Sequence, residues 1–275
     1  MTFSVLTSIY KNESASHLQE ALSSIWDVQR VKPAEIVLVK DGPLTSSLED
    51  VINNWKLKLG PNLRILTFTE NRGLGAALKE GLDACGFEFV ARMDTDDVAA
   101  PDRFEKQLDY LTKYSDVDIL GSFVKEMAYS GDLLEVRTAP VTHDQIFSCL
   151  WASPMVHPSI MMRRSRVLEA GNYDPRYRRR QDYELWFRCA ERGLKFHNLP
   201  EPLLYYRFGQ HTHKKQSPSL AWEQAMIGYR GSSRLGLPVV QKLACFLPFV
   251  RSLLPVRLQH GVYKILSPFD PRRRA

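Results

Sequence analysis

The sequence predicts an α/β protein with a mostly parallel central sheet, helices on both faces of that sheet, and a helical basic and apolar tail. Strand-like and helix-like segments alternate over roughly the first hundred residues, which favours a parallel sheet. The strand-like segments are short continuous apolar runs, as expected of strands that are covered on both faces. The tail is predicted because residues 239–275 interleave apolar residues with seven basic side chains and one acidic side chain.

The predicted elements of the first half follow one another in strand–helix order. The first helix has Leu18, Leu22 and Ile25 on one face, and Ser16 with Gln19 has the form of a capping box. In such sheets ligands bind beyond the carboxyl ends of the strands. Strands are predicted at 3–9, 35–40, 63–68 and 87–91, and helices at 17–26, 48–59 and 74–85.

The second half is predicted to be less regular. Pro101 stands where a helix would begin, and Phe104, Leu108 and Leu111 give that helix an apolar face. Strands are expected at 117–124, 133–137 and 195–207, and a helix at 181–192.

Charge and composition exclude several classes of protein. The net charge of +6 resides in the tail, since the other 238 residues carry 30 basic and 30 acidic side chains. A charge held in an apolar tail argues against nucleic-acid binding. The four cysteines have no metal-ligand spacing and suit a reducing cytoplasm. We expect neither a secretion signal nor a spanning helix, because no run approaches the roughly 18 apolar residues that spanning requires.

Three carboxylates follow the fourth predicted strand. Asp94 and Asp96 are two residues apart, so in an extended chain both can face one ligand. Such carboxylates bind Mn²⁺ or Mg²⁺, and the cation in turn holds phosphate oxygens, which predicts a site for a nucleotide diphosphate. A calcium loop is excluded because Ala99 occupies its glycine position. A charged strand-to-helix turn capped by Asp97 remains an alternative.

Four polar motifs follow the predicted strands in order, at residues 7–13, 39–42, 71–81 and 92–97. The ordered set resembles the family 2 inverting glycosyltransferases with the GT-A fold, particularly the bacterial enzymes that build capsule, exopolysaccharide and O-antigen repeat units, such as the amylovoran-type transferases. The likeness covers approximately residues 3–215, and the four motifs together are far more specific than any one alone.

The resemblance implies roles on the nucleotide side. Thr7 and Tyr10 would border the uridine. Asp41 would accept a hydrogen bond from the uracil N3–H, although a turn aspartate before a glycine is the alternative. Arg72 would contact the nucleotide near the mouth of the site. The remaining nucleotide contacts would be Arg92, Asp94 and Thr95.

The resemblance also implies the metal ligands. Asp96 would be the principal ligand of Mn²⁺ or Mg²⁺, with Asp94 beside it. His211 would complete the metal shell, although a lone histidine is more often structural.

On the acceptor side, the segment 181–186 resembles the family motif in which an aspartate at a helix start is the general base. An acceptor hydroxyl must lose its proton as it attacks, and Asp182 would take that proton. A helix-cap carboxylate is a compatible alternative, and Glu184 is a substitute candidate. Arg179 and Arg180 follow Arg176 and Arg178 and would clamp a lipid pyrophosphate, or form a solvated loop. Asp97 and Trp186 complete the predicted acceptor contacts.

The expected function is transfer of a hexose, with galactose as the choice, from a UDP-sugar to a lipid-pyrophosphate-linked sugar with formation of a β-glycoside. The expected domain spans residues 1–237, with a nucleotide-sugar half at 1–100 and an acceptor half at 101–237. Residues 238–275 would associate with the membrane, so that the protein is cytoplasmic and peripheral at the inner membrane. The alternatives are a non-catalytic scaffold of the same fold and a nucleotidyltransferase, although residues 7–16 lack the glycines of a phosphate loop.

Overall fold

The computed structural model describes residues 1–208 and 217–254, and these residues form one nine-stranded sheet. The four strands predicted in the first half are confirmed, with small shifts at their ends. The strands are β1 (Phe3–Ile9), β2 (Glu35–Lys40), β3 (Leu63–Thr67), β4 (Phe89–Arg92), β5 (Val98–Ala99), β6 (Ile119–Met127), β7 (Leu133–Arg137), β8 (Met161–Arg163) and β9 (Phe196–Arg207).

Ten helices surround this sheet in the described residues. The first begins two residues earlier than predicted, because the Ser14 side chain accepts a hydrogen bond from the His17 amide and caps it; the predicted capping box at Ser16 is therefore wrong. The helices are α1 (Ala15–Trp26), α2 (Ser46–Leu59), α3 (Leu74–Ala84), α4 (Arg103–Lys113), α5 (His143–Ser148), α6 (Arg164–Glu169), α7 (Gln181–Glu191), α8 (Pro218–Arg234), α9 (Val239–Ala244) and α10 (Leu247–Leu253).

The sheet combines a parallel half with a mixed half. Its order is β3-β2-β1-β4-β8-β6-β9-β5, and β7 pairs with β6 outside this path. Strands β1 to β4 pair with one another in parallel, as predicted. Strand β8 was not predicted, and it joins the halves by pairing antiparallel with both β4 and β6. The carboxyl ends of β1, β2 and β4 therefore lie side by side at one edge of the sheet.

Both faces of the sheet are covered, which confirms the predicted layers. Val5 points into a core with α1, α2 and α4, whereas its neighbour Leu6 points into a second core with α3 and α7. The alternation follows from the two-residue repeat of an extended strand. Apolar residues on both sides of β1 and β2 explain the continuous runs in the sequence.

The chain after β9 contains a helix that the sequence analysis did not predict, α8. It packs on α7, and added Cβ atoms at Gly228 and Gly231 would lie 2.3 Å from the Tyr183 hydroxyl and 2.2 Å from the Phe187 ring. Helices α9 and α10 confirm that the predicted tail begins as helix. The predicted boundary after residue 237 stays a prediction. Within residues 1–208 and 217–254, no helix combines the length and apolar character needed to cross a membrane.

Candidate active site

Polar segments follow β1, β2 and β4 and line one cavity. We call it the carboxylate cavity, and its volume is 420 Å³. The strand ends bring these segments together because parallel strands terminate at the same edge. Its lining includes Tyr10, Glu13, Asp41, Asp94 and Asp96.

Carboxylates crowd together in this cavity. Ligand oxygens of Asp94, Asp96 and Asp97 lie within 4.8 Å of one another. Burial, with repulsion from Asp94, raises the pKa of Asp96 to about 6. The pKa of Glu13 rises to about 7 because the side chain is buried and faces Asp96 and Asp94. Glu13 belongs to the motif at residues 7–13, but its charge alone does not distinguish it from a surface residue.

These side chains fit a divalent cation. The donor set consists only of carboxylate oxygens, which Mn²⁺ and Mg²⁺ prefer. Moreover, Asp97 Oδ2 is buried and has no hydrogen-bond partner, a costly arrangement that a cation would relieve. The metal ligand predicted at His211 lies outside the described residues.

Asp97 is not an acceptor contact as predicted. Its side chain is 1% exposed, and its Oδ1 accepts a hydrogen bond from the Arg207 amide at 2.7 Å. It does not cap a helix either, because the short strand β5 follows it. The structure therefore places Asp97 beneath the other two carboxylates rather than facing an acceptor.

Arg92 is also placed differently from the prediction. Its side chain is fully buried, and its guanidinium donates to the Asp94 carboxylate and to the Met93 carbonyl. A buried side chain behind Asp94 does not touch a base or ribose. Arg92 instead fixes the position of Asp94, through a charge-assisted hydrogen bond.

Asp41 holds the loop that leads into α3. Its carboxylate accepts hydrogen bonds from the Arg72 amide at 2.6 Å, the Gly73 amide at 2.9 Å and the Asn71 side chain at 2.9 Å. This loop needs glycine at position 73, where φ is 92°. Asp41 lines the carboxylate cavity, and its contact with uracil stays a prediction.

The other predicted nucleotide contacts differ in exposure. Tyr10 is 40% exposed at the rim of the carboxylate cavity, and Thr95 lines its wall. Arg72 is exposed and lies over the Phe68 ring at 4.5 Å. Thr7 is 1% exposed and outside the lining, so its predicted contact with uridine is corrected: Thr7 is an interior residue of β1.

A second and larger cavity adjoins the first. We call it the large cavity, and its volume is 790 Å³. Asp94 and Arg179 line both cavities, so the two spaces meet at these residues. Two ligands bound in the two cavities would therefore face each other across Asp94.

Asp182 lines the large cavity from the first turn of α7. Arg180 precedes it with φ of 60°, a left-handed turn that starts the helix, so Asp182 is a first-turn residue and not the cap. Burial raises the pKa of Asp182, which makes its carboxylate a stronger base than an exposed aspartate.

The arginines before α7 divide into two groups. Arg178, Arg179 and Arg180 line the large cavity, as the phosphate-clamp hypothesis requires. Arg178 also donates to the Asn71 side chain at 2.6 Å, which joins this loop to the one held by Asp41. Arg176 is bound to Asp174 at 2.6 Å and does not line the cavity.

Two further acceptor-side predictions are corrected. Glu184 is 6% exposed and binds Arg188 at 2.8 Å, so it is not placed as a substitute base. Trp186 is fully buried and packs edge-on against His157. His157 lines the large cavity, and its Nε2 forms a hydrogen bond with the Tyr173 hydroxyl at 2.8 Å. Burial holds the pKa of His157 well below the usual range.

Comparisons with known proteins show which proteins this chain is similar to. The family model described as Glycosyl transferase family 2 matches residues 4–171. Among curated proteins, the chain is 36% identical over 215 residues to the Escherichia coli UDP-Gal:alpha-D-GlcNAc-diphosphoundecaprenol beta-1,3-galactosyltransferase, covering 78% of this chain and 77% of that protein. It is 36% identical to the amylovoran biosynthesis glycosyltransferase AmsE of Erwinia amylovora, over 75% of this chain and 76% of that one.

Among solved structures, the S. aureus TarS 1-349 complex with UDP-GlcNAc matches with a TM-score of 0.69 and 19% identity. The match covers 92% of this chain and 72% of the TarS 1-349 chain. At this identity the likeness shows the fold alone, and it confirms the predicted GT-A fold.

Proposed function

Because this chain belongs to glycosyl transferase family 2, we propose that it moves galactose from UDP-galactose to a lipid-pyrophosphate-linked sugar, with inversion at the anomeric carbon. One observation carries the proposal: the carboxylate cavity and the large cavity meet at Asp94, and Asp182 lines the second. A glycosyltransferase needs this arrangement, because donor and acceptor must approach each other end to end.

The donor belongs in the carboxylate cavity. Asp96, Asp94 and Asp97 would hold a Mn²⁺ or Mg²⁺ ion, which when bound neutralises the diphosphate and makes it a better leaving group. Arg92 donates a hydrogen bond to Asp94 and holds it in place. Arg179 also lines this cavity, where its positive charge would face the same diphosphate. Tyr10 and Asp41 line the end of the cavity that is left for the nucleoside.

The acceptor belongs in the large cavity. Its hydroxyl gives a proton to the Asp182 carboxylate while its oxygen forms a bond to the anomeric carbon. The bond from that carbon to the diphosphate oxygen breaks in the same step, and UDP leaves with the electron pair. Attack opposite the leaving group converts an α-linked donor into a β-glycoside, and the raised pKa of Asp182 favours the proton transfer.

The acceptor class is supported by a relative and by charge. The E. coli relative is named for an undecaprenyl diphosphate that carries GlcNAc. Arg178, Arg179 and Arg180 give the large cavity a cationic wall that suits a pyrophosphate. Such an acceptor would bring the enzyme to the inner-membrane surface, as a peripheral protein on the cytoplasmic side, in the synthesis of exopolysaccharide, capsule or O-antigen.

The proposal is tested by UDP release across UDP-galactose, UDP-glucose and UDP-GlcNAc, with Mn²⁺ and a short-chain lipid diphosphate GlcNAc acceptor. We expect turnover to be fastest with UDP-galactose and to stop with EDTA. A faster reaction with another donor overturns the sugar assignment. Turnover that survives EDTA overturns the metal, and release no faster than donor hydrolysis overturns the acceptor.

A further inference from the structure

Helices α9 and α10 present apolar side chains to the outside of the molecule. Val240, Leu243, Leu247 and Val250 are 77%, 62%, 51% and 54% exposed. Val240 and Leu243 are three residues apart in α9, and Leu247 and Val250 are three residues apart in α10, which places each pair on one face of its own helix. We call these four residues the apolar stripe.

The opposite face of the same segment is anchored. Phe246 and Phe249 pack on Trp222 of α8, with ring centroids 5.6 Å and 5.0 Å apart. The segment is therefore held against the protein with its stripe outward, and the stripe is not a core face left open by chance. A contiguous exposed apolar patch of this kind marks an interaction surface.

Charge indicates what covers the stripe. Lys242 and Arg251 belong to the same two helices, and the sequence of residues 255–275 adds five basic side chains and one acidic one. The occupant must therefore be apolar inside and anionic at its rim, as a bilayer of acidic lipids is. A second copy bound through the same stripe would bring the basic side chains of Lys242 and Arg251 from both copies together, which is unfavourable.

We propose that the apolar stripe inserts into the interface of an anionic lipid bilayer and holds the protein on that surface. The stripe is also linked to the large cavity: α8 carries Trp222, which holds α10, and lines the cavity with Leu220 and Glu223. Attachment through the stripe brings the cavity close to the bilayer. This second step rests on the proposed function, because only a lipid-linked acceptor is delivered by the bilayer.

The test measures binding of the full chain to vesicles of phosphatidylcholine and phosphatidylglycerol in equal parts, and to vesicles of phosphatidylcholine alone. We expect binding to the anionic vesicles only. The double variant Leu243→Glu, Val250→Glu should lower the partition coefficient at least about tenfold. The matched control is Leu57→Glu, since Leu57 is 84% exposed on α2 and should leave binding unchanged. Leu247→Glu alone tests the same stripe if the double variant does not fold.

Several outcomes overturn the inference. These are absent binding by the wild-type chain, undiminished binding by the stripe variants, and an oligomer in solution that the stripe variants dissociate. The failure of the proposed function is distinguishable, because vesicle binding is measured without substrate. A chain that binds vesicles through the stripe but transfers no sugar retains this inference and loses the other.

Discussion

At the scale of single residues, Asp182 is the proposed general base, because it lines the large cavity and burial raises its pKa. We expect Asp182→Asn to lower kcat by about 10²- to 10⁴-fold, because the amide cannot take the proton of the acceptor hydroxyl. The KM for the donor should change little, since Asp182 does not line the carboxylate cavity. Steady-state UDP release measures both constants. Asp144→Asn, an exposed first-turn aspartate of α5, is the control, and equal loss in the two variants would contradict the base assignment.

The same carboxylate predicts a pH dependence. Burial raises the pKa of Asp182, and the protonated form cannot accept a proton. Activity should therefore fall as the pH decreases through this raised pKa, which lies above the value of about 3.9 of an ordinary aspartate. The measurement is the pH profile of kcat at saturating Mn²⁺, which should keep the carboxylates of the proposed metal site ionised. An acidic limb at or below the ordinary aspartate value would contradict the prediction.

The raised pKa of Asp96 predicts that its ionised carboxylate lowers the stability of the folded protein. Its folded pKa of about 6 lies above the ordinary value of 3.8, so the ionised form is disfavoured in the folded protein. The destabilisation begins above the unfolded pKa and is complete above the folded one. In EDTA at pH 8, Asp96→Asn should therefore raise the free energy of unfolding by about 1–3 kcal/mol. Urea unfolding measures this gain, which should disappear below pH 4. A variant less stable than wild type at pH 8 would contradict the repulsion argument.

The sequence could predict site residues only where the chemical type of a side chain shows that it is exposed. Asp94, Asp96 and Asp182 follow a strand end or begin a helix, where carboxylates are rarely buried without a partner, and all three line the cavities. Their chemical roles stay predictions. Trp186 and Arg92 were assigned wrongly. Each is close in sequence to a site residue, but sequence order does not show which side chain points into the interior. Glu13 was missed because its importance comes from partners some 80 residues away.

At the scale of elements, the parallel half could be predicted because each strand is a continuous apolar run followed by an amphipathic helix. The second half lacks this signal. Strand β8 has only three residues, too few for a pattern, and its place between β4 and β6 depends on distant partners. Helix α8 was missed because Gly228, Gly231 and three serines lower its intrinsic helix propensity, so that its stability comes from packing on α7.

That packing predicts the effect of adding one methyl group to α8. In Gly231→Ala the new Cβ would lie 2.2 Å from the Phe187 ring, so the two helices must separate. Overpacking costs about 1–3 kcal/mol, whereas alanine gains about 1 kcal/mol of helix propensity over glycine. We expect a net loss of up to about 2 kcal/mol in the free energy of unfolding, measured in urea. The control is Ser233→Ala at an exposed position of the same helix, and greater stability of Gly231→Ala would contradict the close contact.

At the scale of the whole molecule, the fold unites two cavities built from different halves of the sheet. The carboxylate cavity is formed mainly by the ends of β1, β2 and β4, and the large cavity mainly by segments after β7. The sequence indicated both halves, because each carries its own motif. The junction at Asp94 could not be predicted, since it depends on how β8 and the arginine loop bring the second half over the first.

Ligands bound in the carboxylate cavity should stabilise the folded protein. A ligand that binds only the folded state at 100 times its Kd adds about 2.7 kcal/mol, or about 5–10 °C in Tm for a chain of this size. We expect Mn²⁺ and UDP together to produce a shift of this order, because the cation removes the repulsion among Asp94, Asp96 and Asp97 and the diphosphate completes its ligands. UDP in EDTA should give a much smaller shift.

Thermal unfolding with each ligand, with both and with neither separates the contributions. Asp96→Asn should remove the joint shift, whereas Asp144→Asn should retain it. The stripe variant Leu243→Glu, Val250→Glu should retain it as well, because the donor site and the apolar stripe lie on different elements. An equal shift by UDP in EDTA and in Mn²⁺ would mean that the carboxylates hold no cation for the diphosphate. In that case Arg178 and Arg179, which both line the two cavities, would have to stabilise the leaving group alone.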